Sequence, residues 1–208
     1  FDDADLHHGK VLFAAENLNF SYRKAPLLWN KPLSFILLSG DRLALKGSNG
    51  SGKSTLVKII LDHLQPSIGS VHRNTFTHVY LDQDYSLINT KYTVYEQAQQ
   101  YNTQRLEEHE VKIRLDRFLF PKNVWDKSCK VLSGGEKMRL ALCCLNMRQK
   151  APDLIVLDEP TNNLDLANIS ILTNAIKNYT GTLIVISHDS WFRDEVLLSK
   201  EINLEVND

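Results

Sequence analysis

The chain has 208 residues, of which 43% are hydrophobic and 24% are charged, proportions typical of an ordinary globular domain. Its 24 Lys and Arg residues nearly balance its 25 Asp and Glu residues, and the formal net charge of −1 argues against a strongly basic nucleic-acid binder. The longest apolar runs, LIVL at 154–157 and LIVI at 183–186, are too short to span a bilayer, and the polar opening FDDADLHH differs from a signal peptide.

Hydrophobic periodicity predicts strands that alternate with helices along the chain. The predicted strands are 10–22, 42–47, 77–83, 154–158, 182–189 and 201–206. The predicted helices are 53–64, a charged stretch from about 92 to 120, 133–148 and 167–179. This order predicts an α/β fold with a mostly parallel sheet covered on both faces, an antiparallel region near the N-terminus and a helical subdomain at about 84–150. No flexible linker divides the chain, so we expect a single domain over 1–208.

The cysteines indicate the cellular compartment of the chain, and the first residue bears on whether it is part of a longer protein. Cys129, Cys143 and Cys144 have no metal-ligand spacing, and their odd number predicts reduced thiols in a cytoplasmic protein. Cys143 and Cys144 lie within a helical pattern, which favours core packing over a redox role. The chain begins with Phe rather than Met, so we expect it to be part of a longer protein.

A glycine-rich segment, GSNGSGKS at 47–54, matches the pattern G-x-x-x-x-G-K-[ST] between a predicted strand and a predicted helix. Such a loop points backbone N–H groups at phosphate oxygens, and the following helix adds the positive end of its dipole. Lys53 would neutralise β- and γ-phosphates, and the Ser54 hydroxyl would ligate Mg²⁺. The context favours a nucleotide site over a plain glycine-rich turn. Its residues are Gly47, Ser48, Asn49, Gly50, Ser51, Gly52, Lys53, Ser54 and Thr55.

Two adjacent carboxylates, Asp158 and Glu159, end the apolar strand 154–158. Because the carboxyl ends of parallel strands meet at one edge of a sheet, we expect both to lie beside the phosphate loop. Asp158 would hold Mg²⁺, through water or beside Ser54, and Glu159 would polarise the attacking water. The structural alternative is a pair of solvated acids at a strand end.

The segment VLSGGEK at 131–137 opens the predicted helix 133–148. Ser133 and Glu136 form an S-x-x-E capping box, which begins many ordinary helices. Gly134 and Gly135 are poor helix formers at the first helical positions. We interpret them as room for a close approach to the backbone, such as a phosphate at the positive helix end.

The segment LSGGE, with the phosphate loop and the DEP segment, resembles the motifs of ATP-binding-cassette (ABC) ATPases, and the resemblance covers essentially the whole chain. It implies an ABC-type P-loop NTPase fold and Mg²⁺-dependent ATP hydrolysis. In this family two cassettes pair head to tail, and each ATP lies between the phosphate loop of one and the LSGGE segment of the other. The resemblance therefore implies a second cassette, in the same parent chain or as a homodimer.

The same resemblance implies roles for four further residues. Tyr22 would stack on adenine, and Gln83 would be the Q-loop glutamine, a catalytic residue and Mg²⁺ ligand that senses the γ-phosphate. His188 would be the switch histidine that contacts the γ-phosphate, and Asp165 the D-loop aspartate. The structural alternatives are strand packing for Tyr22, a solvated strand end for Gln83 and a core position for His188.

The run EPTNNLD at 159–165 resembles the EPTNHLD pattern of the ABC-F branch, with Asn163 where histidine is usual, and GTLIVISHDSWF at 181–192 resembles the same branch. That branch contains soluble ATPases with two cassettes, associated with ribosomes, translation regulation and antibiotic resistance. The resemblance implies a C-terminal cassette, with residues 1–9 as the end of an interdomain linker. The alternatives are the ATPase subunit of a membrane transporter, which needs a transmembrane partner, and an ATP-binding switch without turnover.

A local excess of positive charge lies between 121 and 150, where Asp126 and Glu136 are the acidic residues. The basic residues are Lys122, Lys127, Lys130, Lys137, Arg139, Arg148 and Lys150. They could face RNA phosphates, although a solvated helix surface is the commoner reason for such a run. The predicted ribosome partner therefore depends on the family resemblance rather than on charge.

Overall fold

The computed structural model describes residues 9–23 and 25–205, and eight strands and six α-helices lie within them. The strands are β1 (Val11–Asn19), β2 (Leu33–Leu38), β3 (Arg42–Lys46), β4 (Ile68–Arg73), β5 (His78–Leu81), β6 (Leu154–Asp158), β7 (Thr182–Ile186) and β8 (Lys200–Asn203). The helices are α1 (Lys53–Ile60), α2 (Val94–Gln100), α3 (Glu108–Arg117), α4 (Gly134–Asn146), α5 (Leu166–Lys177) and α6 (Ser190–Glu195). The expected linker at 1–9 lies, except for its last residue, outside the described residues, as does the predicted strand end at 206.

The centre of the fold is a five-stranded sheet in the order β5-β6-β7-β3-β8, in which every neighbouring pair is parallel. Alternate residues of β6 enter different hydrophobic clusters: Leu154 and Val156 lie in one, and Ile155 and Leu157 in the other. Both faces of the sheet are therefore buried, which explains the unbroken apolar runs in the sequence. The predicted α/β fold with a mostly parallel sheet is confirmed.

A separate antiparallel sheet, in the order β2-β1-β4, covers the α1 side of the core. Phe13 and Leu18 of β1 share a hydrophobic cluster with Leu56 of α1 and Val156 of β6. The sequence pattern predicts β1 but neither of its two partners. β2 (LSFILL) alternates in burial, but its run of four apolar residues hides that alternation in the sequence, and β4 (IGSVHR) is largely exposed and contains Gly69, so neither sequence shows the period-two pattern of a half-buried strand.

The helical subdomain contains α2, α3 and α4, and the stretch predicted as helical from 92 to 120 proves to be two helices. The Asn102 side chain lies just after the first of them. Its Oδ1 accepts from the Leu106 N–H (2.8 Å) and its Nδ2 donates to the Leu106 carbonyl (2.9 Å). These bonds compete with the backbone bonds that would continue the helix. Helix α6 was also missed; it is only six residues long and begins at the Asp189 cap. No helix within the described ranges has both the length and the apolar character that a membrane crossing requires.

The three cysteines pack in the core of the helical side, as the helical pattern predicted for Cys143 and Cys144. Cys129, Cys143 and Cys144 are each 0% exposed and belong to one hydrophobic cluster. Burial raises the pKa of the Cys143 thiol to about 12, which keeps it protonated at neutral pH. These thiols are therefore packing groups rather than nucleophiles.

Candidate functional site

The phosphate loop joins β3 to α1 in a conformation that glycine adopts most easily. Gly47 and Gly52 have φ angles of 144° and 88°. A Cβ on Gly52 would lie 2.4 Å from a Leu28 methyl group, and the positive φ would strain any larger residue there. The Lys53 ammonium donates to the carbonyl oxygens of Gly47 (2.9 Å) and Ser48 (3.0 Å), which holds its charge over the loop.

A buried tryptophan supports the phosphate loop from inside the fold. Trp29 is 1% exposed, and its Nε1–H donates to the Ser51 carbonyl oxygen at 2.9 Å. Asn19 fixes this tryptophan, because its Nδ2 donates to the Trp29 carbonyl (2.8 Å) and its Oδ1 accepts from the Trp29 N–H (3.2 Å). Neither Trp29 nor Asn19 was predicted from the sequence as a support of the loop. The usable signal was a tryptophan shortly before the loop, since a buried indole N–H needs an acceptor.

Lys53, Ser54 and Asp158 meet at the carboxyl edge of the parallel sheet, where the topology predicted them. They line an open depression of about 380 Å³. Its lining residues are Asn49, Gly50, Gly52, Lys53, Ser54, Thr55, Asp158, Glu159 and Ile186. The Tyr80 hydroxyl of β5 donates to Asp158 Oδ2 at 2.5 Å. Burial, together with this hydrogen bond, raises the pKa of Tyr80, so its phenol is a protonated donor at neutral pH.

Glu159 follows β6 in the left-handed region, with a φ of 50°. Its N–H donates to the Ile186 carbonyl at 2.7 Å, which ties the carboxyl ends of β6 and β7 together. Its Oε1 lies 3.4 Å from His188 Nε2, and its Oε2 accepts from the His188 N–H at 3.4 Å. Lys53, Glu159 and His188 line a second open depression of about 300 Å³. The structure thus brings Glu159 and His188 together beside the phosphate loop.

Tyr22 and Gln83 differ in how closely they approach this site. The Tyr22 hydroxyl lies 2.7 Å from Thr55 Oγ1, and its side chain is 51% exposed although its ring contacts Phe20 edge-on. Tyr22 therefore borders the loop with ring surface free for stacking. Gln83 is exposed in the turn after β5 and lines neither depression, so the structure does not bring it to the site that the resemblance implied.

The LSGGE segment forms the capped start of α4. Ser133 Oγ accepts from the Glu136 N–H at 3.3 Å, and Glu136 Oε2 accepts from the Ser133 N–H at 2.7 Å, which completes the predicted capping box. The pKa of Glu136 lies below its ordinary value. Burial by itself would raise this pKa, but the hydrogen bonds from Ser133 and Lys127 outweigh that effect. Neither depression beside the phosphate loop is lined by Ser133, Gly134, Gly135 or Glu136.

Packing within the fold accounts for one of the two glycines. Gly135 is buried, and a Cβ on it would lie 2.3 Å from Asn168 Nδ2, so the side chain of Asn168 in α5 occupies the space beside it. Asn168 is fixed there, because its N–H donates to Asp165 Oδ1 (2.8 Å) and its Oδ1 accepts from Arg139 (2.8 Å). Asp165 is thus the cap of α5. Gly134 is exposed and has room for a Cβ, so the original interpretation still applies to it.

Gly135→Ala should lower the free energy of unfolding by about 1–3 kcal/mol, because the added methyl group displaces the Asn168 amide from its bond with Arg139. Gly134→Ala is the matched control and should be neutral or stabilise by up to about 1 kcal/mol, since alanine is the better helix former. Urea unfolding followed by circular dichroism measures both values. Equal stability of the two variants would contradict the packing role of Gly135.

Two basic residues of the run at 121–150 make contacts within the fold. Lys127 pairs with Glu136 at 3.3 Å. Arg139 bonds Asn168, and its guanidinium carbon lies 5.8 Å from the centre of the Phe120 ring. The surface available to RNA phosphates is therefore less basic than the sequence alone suggests.

Known proteins resemble this chain over most of its length. A protein-family model described as ABC transporter matches residues 30–162. The protein YdiF of Bacillus subtilis (strain 168) is 39% identical over 196 residues, which cover 93% of this chain and 30% of YdiF. The ATP-binding protein Uup of Escherichia coli (strain K12) is 34% identical over 91% of this chain and 30% of its own length. The chain therefore spans slightly less than one third of the length of these relatives.

A second Uup and one solved structure are also similar to this chain. The ATP-binding protein Uup of Haemophilus influenzae is 36% identical over 197 residues, covering 92% of this chain and 30% of that protein. A chain from an ABC transporter of metal-chelate type, solved in an inward-facing conformation, has a TM-score of 0.68 and 25% sequence identity. It covers 95% of this chain, and this chain covers 81% of it, so the whole fold is shared.

Proposed function

This chain belongs to the ABC transporter family and is an ATPase domain of that family, and from this premise we propose that it binds Mg-ATP at residues 47–55 and hydrolyses it within a head-to-tail pair of cassettes. One observation carries the proposal. Lys53, Glu159 and His188 line one depression, Asp158 lines the adjoining one, and Ser133 lines neither. The absence of the LSGGE residues from the lining of both depressions supports a site that a second cassette completes.

The residues at the loop fit a nucleotide with a divalent cation. Ser54 and Asp158 place a hydroxyl and a carboxylate in the same depression, and oxygen ligands of this kind are those that Mg²⁺ prefers. When bound there, the cation would neutralise charge on the β- and γ-phosphates. Tyr22 would stack on the base from the rim, while Gln83 would have to move inward to act as a ligand.

The proposed chemistry uses the carboxylate of Glu159 and the imidazole of His188. Glu159 accepts a proton from the attacking water, and its contact with His188 holds the carboxylate beside the loop. His188 is 68% exposed along its side chain, so it is placed to contact the γ-phosphate when ATP fills the depression. Lys53 and the loop N–H groups stabilise the charge that develops during transfer.

We propose further that the chain is the C-terminal cassette of a cytoplasmic ABC-F protein that acts on the ribosome. The EPTNNLD and GTLIVISHDSWF segments support this branch, as do relatives that are named ATP-binding proteins and are about three times as long as the chain. The second candidate is the ATPase subunit of a membrane transporter. The shared fold of the metal-chelate-type transporter chain favours it.

Co-sedimentation distinguishes these two candidates. The full-length protein carrying Glu159→Gln should pellet with ribosomes in the presence of ATP and remain in the supernatant with ADP, because blocked hydrolysis holds the cassettes closed. Recovery in the membrane fraction without ribosome pelleting would instead support the transporter subunit.

A further inference from the structure

Tyr80 lies on the strand next to the candidate metal site and on the same face as Asp158. In the parallel pairing of β5 with β6, Tyr80 is opposite Val156, and Asp158 follows Val156 by two residues. Side chains two positions apart on a strand point to the same face. The Tyr80 hydroxyl therefore reaches along the sheet to Asp158 Oδ2, at 2.5 Å.

We propose that Tyr80 is a positioning residue, which orients the Asp158 carboxylate toward a divalent cation; this inference rests on the proposed function of Asp158. The phenol donates to one carboxylate oxygen and leaves the other oxygen for the metal. A hydrogen bond to an ionised acceptor is short and strong, so it restricts rotation of the carboxylate about its last torsion. Groups that bond to a ligand in this way commonly set the affinity of a metal site.

The surroundings of Tyr80 hold the phenol in place. Its ring packs against the hydrophobic cluster that contains Val156 and Leu56, the second of which lies in α1. A second tyrosine from the same region, Tyr85, donates its hydroxyl to the Pro160 carbonyl at 3.0 Å. The two tyrosines thus bond to either side of Glu159: Tyr80 orients the carboxylate before it, and Tyr85 fixes the backbone after it.

The test is Mn²⁺ binding in the presence of ATP, measured by electron paramagnetic resonance on the Glu159→Gln protein, in which turnover is blocked. Adding Tyr80→Phe should raise the Mn²⁺ dissociation constant about tenfold. ATP affinity in EDTA should stay within about twofold, since the phenol acts through the metal ligand. Tyr179→Phe is the matched control. The Tyr179 hydroxyl donates to the Pro152 carbonyl at 2.6 Å, just before the start of β6 and so at the end of the strand opposite to Asp158. Removing this hydroxyl should leave the Mn²⁺ affinity unchanged.

Asp158→Asn separates failure of this inference from failure of the proposed function. If Asp158→Asn weakens Mn²⁺ binding and Tyr80→Phe does not, the positioning role of Tyr80 is wrong while the metal site stands. If neither variant weakens it, the assignment of Asp158 to the metal is wrong. Equal loss of Mn²⁺ and metal-free ATP affinity in Tyr80→Phe would reveal general damage and would also overturn the inference.

Discussion

Replacing Glu159 by glutamine should lower the rate of ATP hydrolysis about 100- to 1,000-fold while ATP affinity stays within about threefold. Glutamine has nearly the same shape, so it can keep the left-handed turn at this position and the contact with the His188 N–H. It has no carboxylate to accept the proton of the attacking water. Phosphate release and equilibrium binding of a fluorescent ATP analogue measure the two quantities separately.

Glu195→Gln is the matched control for this variant. Glu195 is a surface residue of α6 that pairs with Lys177, so the same chemical change there should leave hydrolysis unchanged. Hydrolysis at the normal rate by Glu159→Gln would show that the proton acceptor is a different group.

Lys53→Ala should weaken ATP binding at least about 100-fold, which corresponds to about 2.7 kcal/mol. The ammonium is held over the loop by the Gly47 and Ser48 carbonyls, at the position where phosphate charge must be neutralised. Removing it leaves the phosphates with the backbone N–H groups and the helix dipole alone. Isothermal titration with ATP and Mg²⁺ measures the change.

Lys58→Ala tests whether this loss is specific to the site. Lys58 lies on the exposed side of the same helix, α1, and lines neither depression. Its replacement by alanine removes the same charge as Lys53→Ala. Its ATP affinity should match that of the unmodified chain. Tight ATP binding by Lys53→Ala would remove the basis for placing the nucleotide at residues 47–55.

Local patterns in the sequence were enough to predict the chemistry-bearing segments. The glycine spacing around Lys53, the strand that ends at Asp158 and the capping box at Ser133 each depend on residues close together in the chain. Parallel topology then places the first two at one edge of the sheet. These features could be predicted because each has a mechanism that acts over a few residues.

The supporting contacts could not be predicted, because they join residues that are distant in the sequence. Trp29 bonds Ser51, Tyr80 bonds Asp158, and Asn168 fills the space beside Gly135. No short pattern contains both members of such a pair. Gly135 illustrates the consequence: the sequence suggested room for a ligand there, and only the structure shows that the Asn168 side chain of α5 also requires a glycine.

The most direct test of the head-to-tail site is phosphate release from two copies of the chain fused in tandem, with Lys53→Ala and Ser133→Arg placed either in opposite copies or in the same copy. With the substitutions in opposite copies, one site carries both defects and the other is intact, so we expect about half of the normal activity. With both in one copy, each site carries one defect, and we expect no activity. The reverse pattern would mean that each phosphate loop uses the LSGGE segment of its own copy, and it would contradict the proposed pairing.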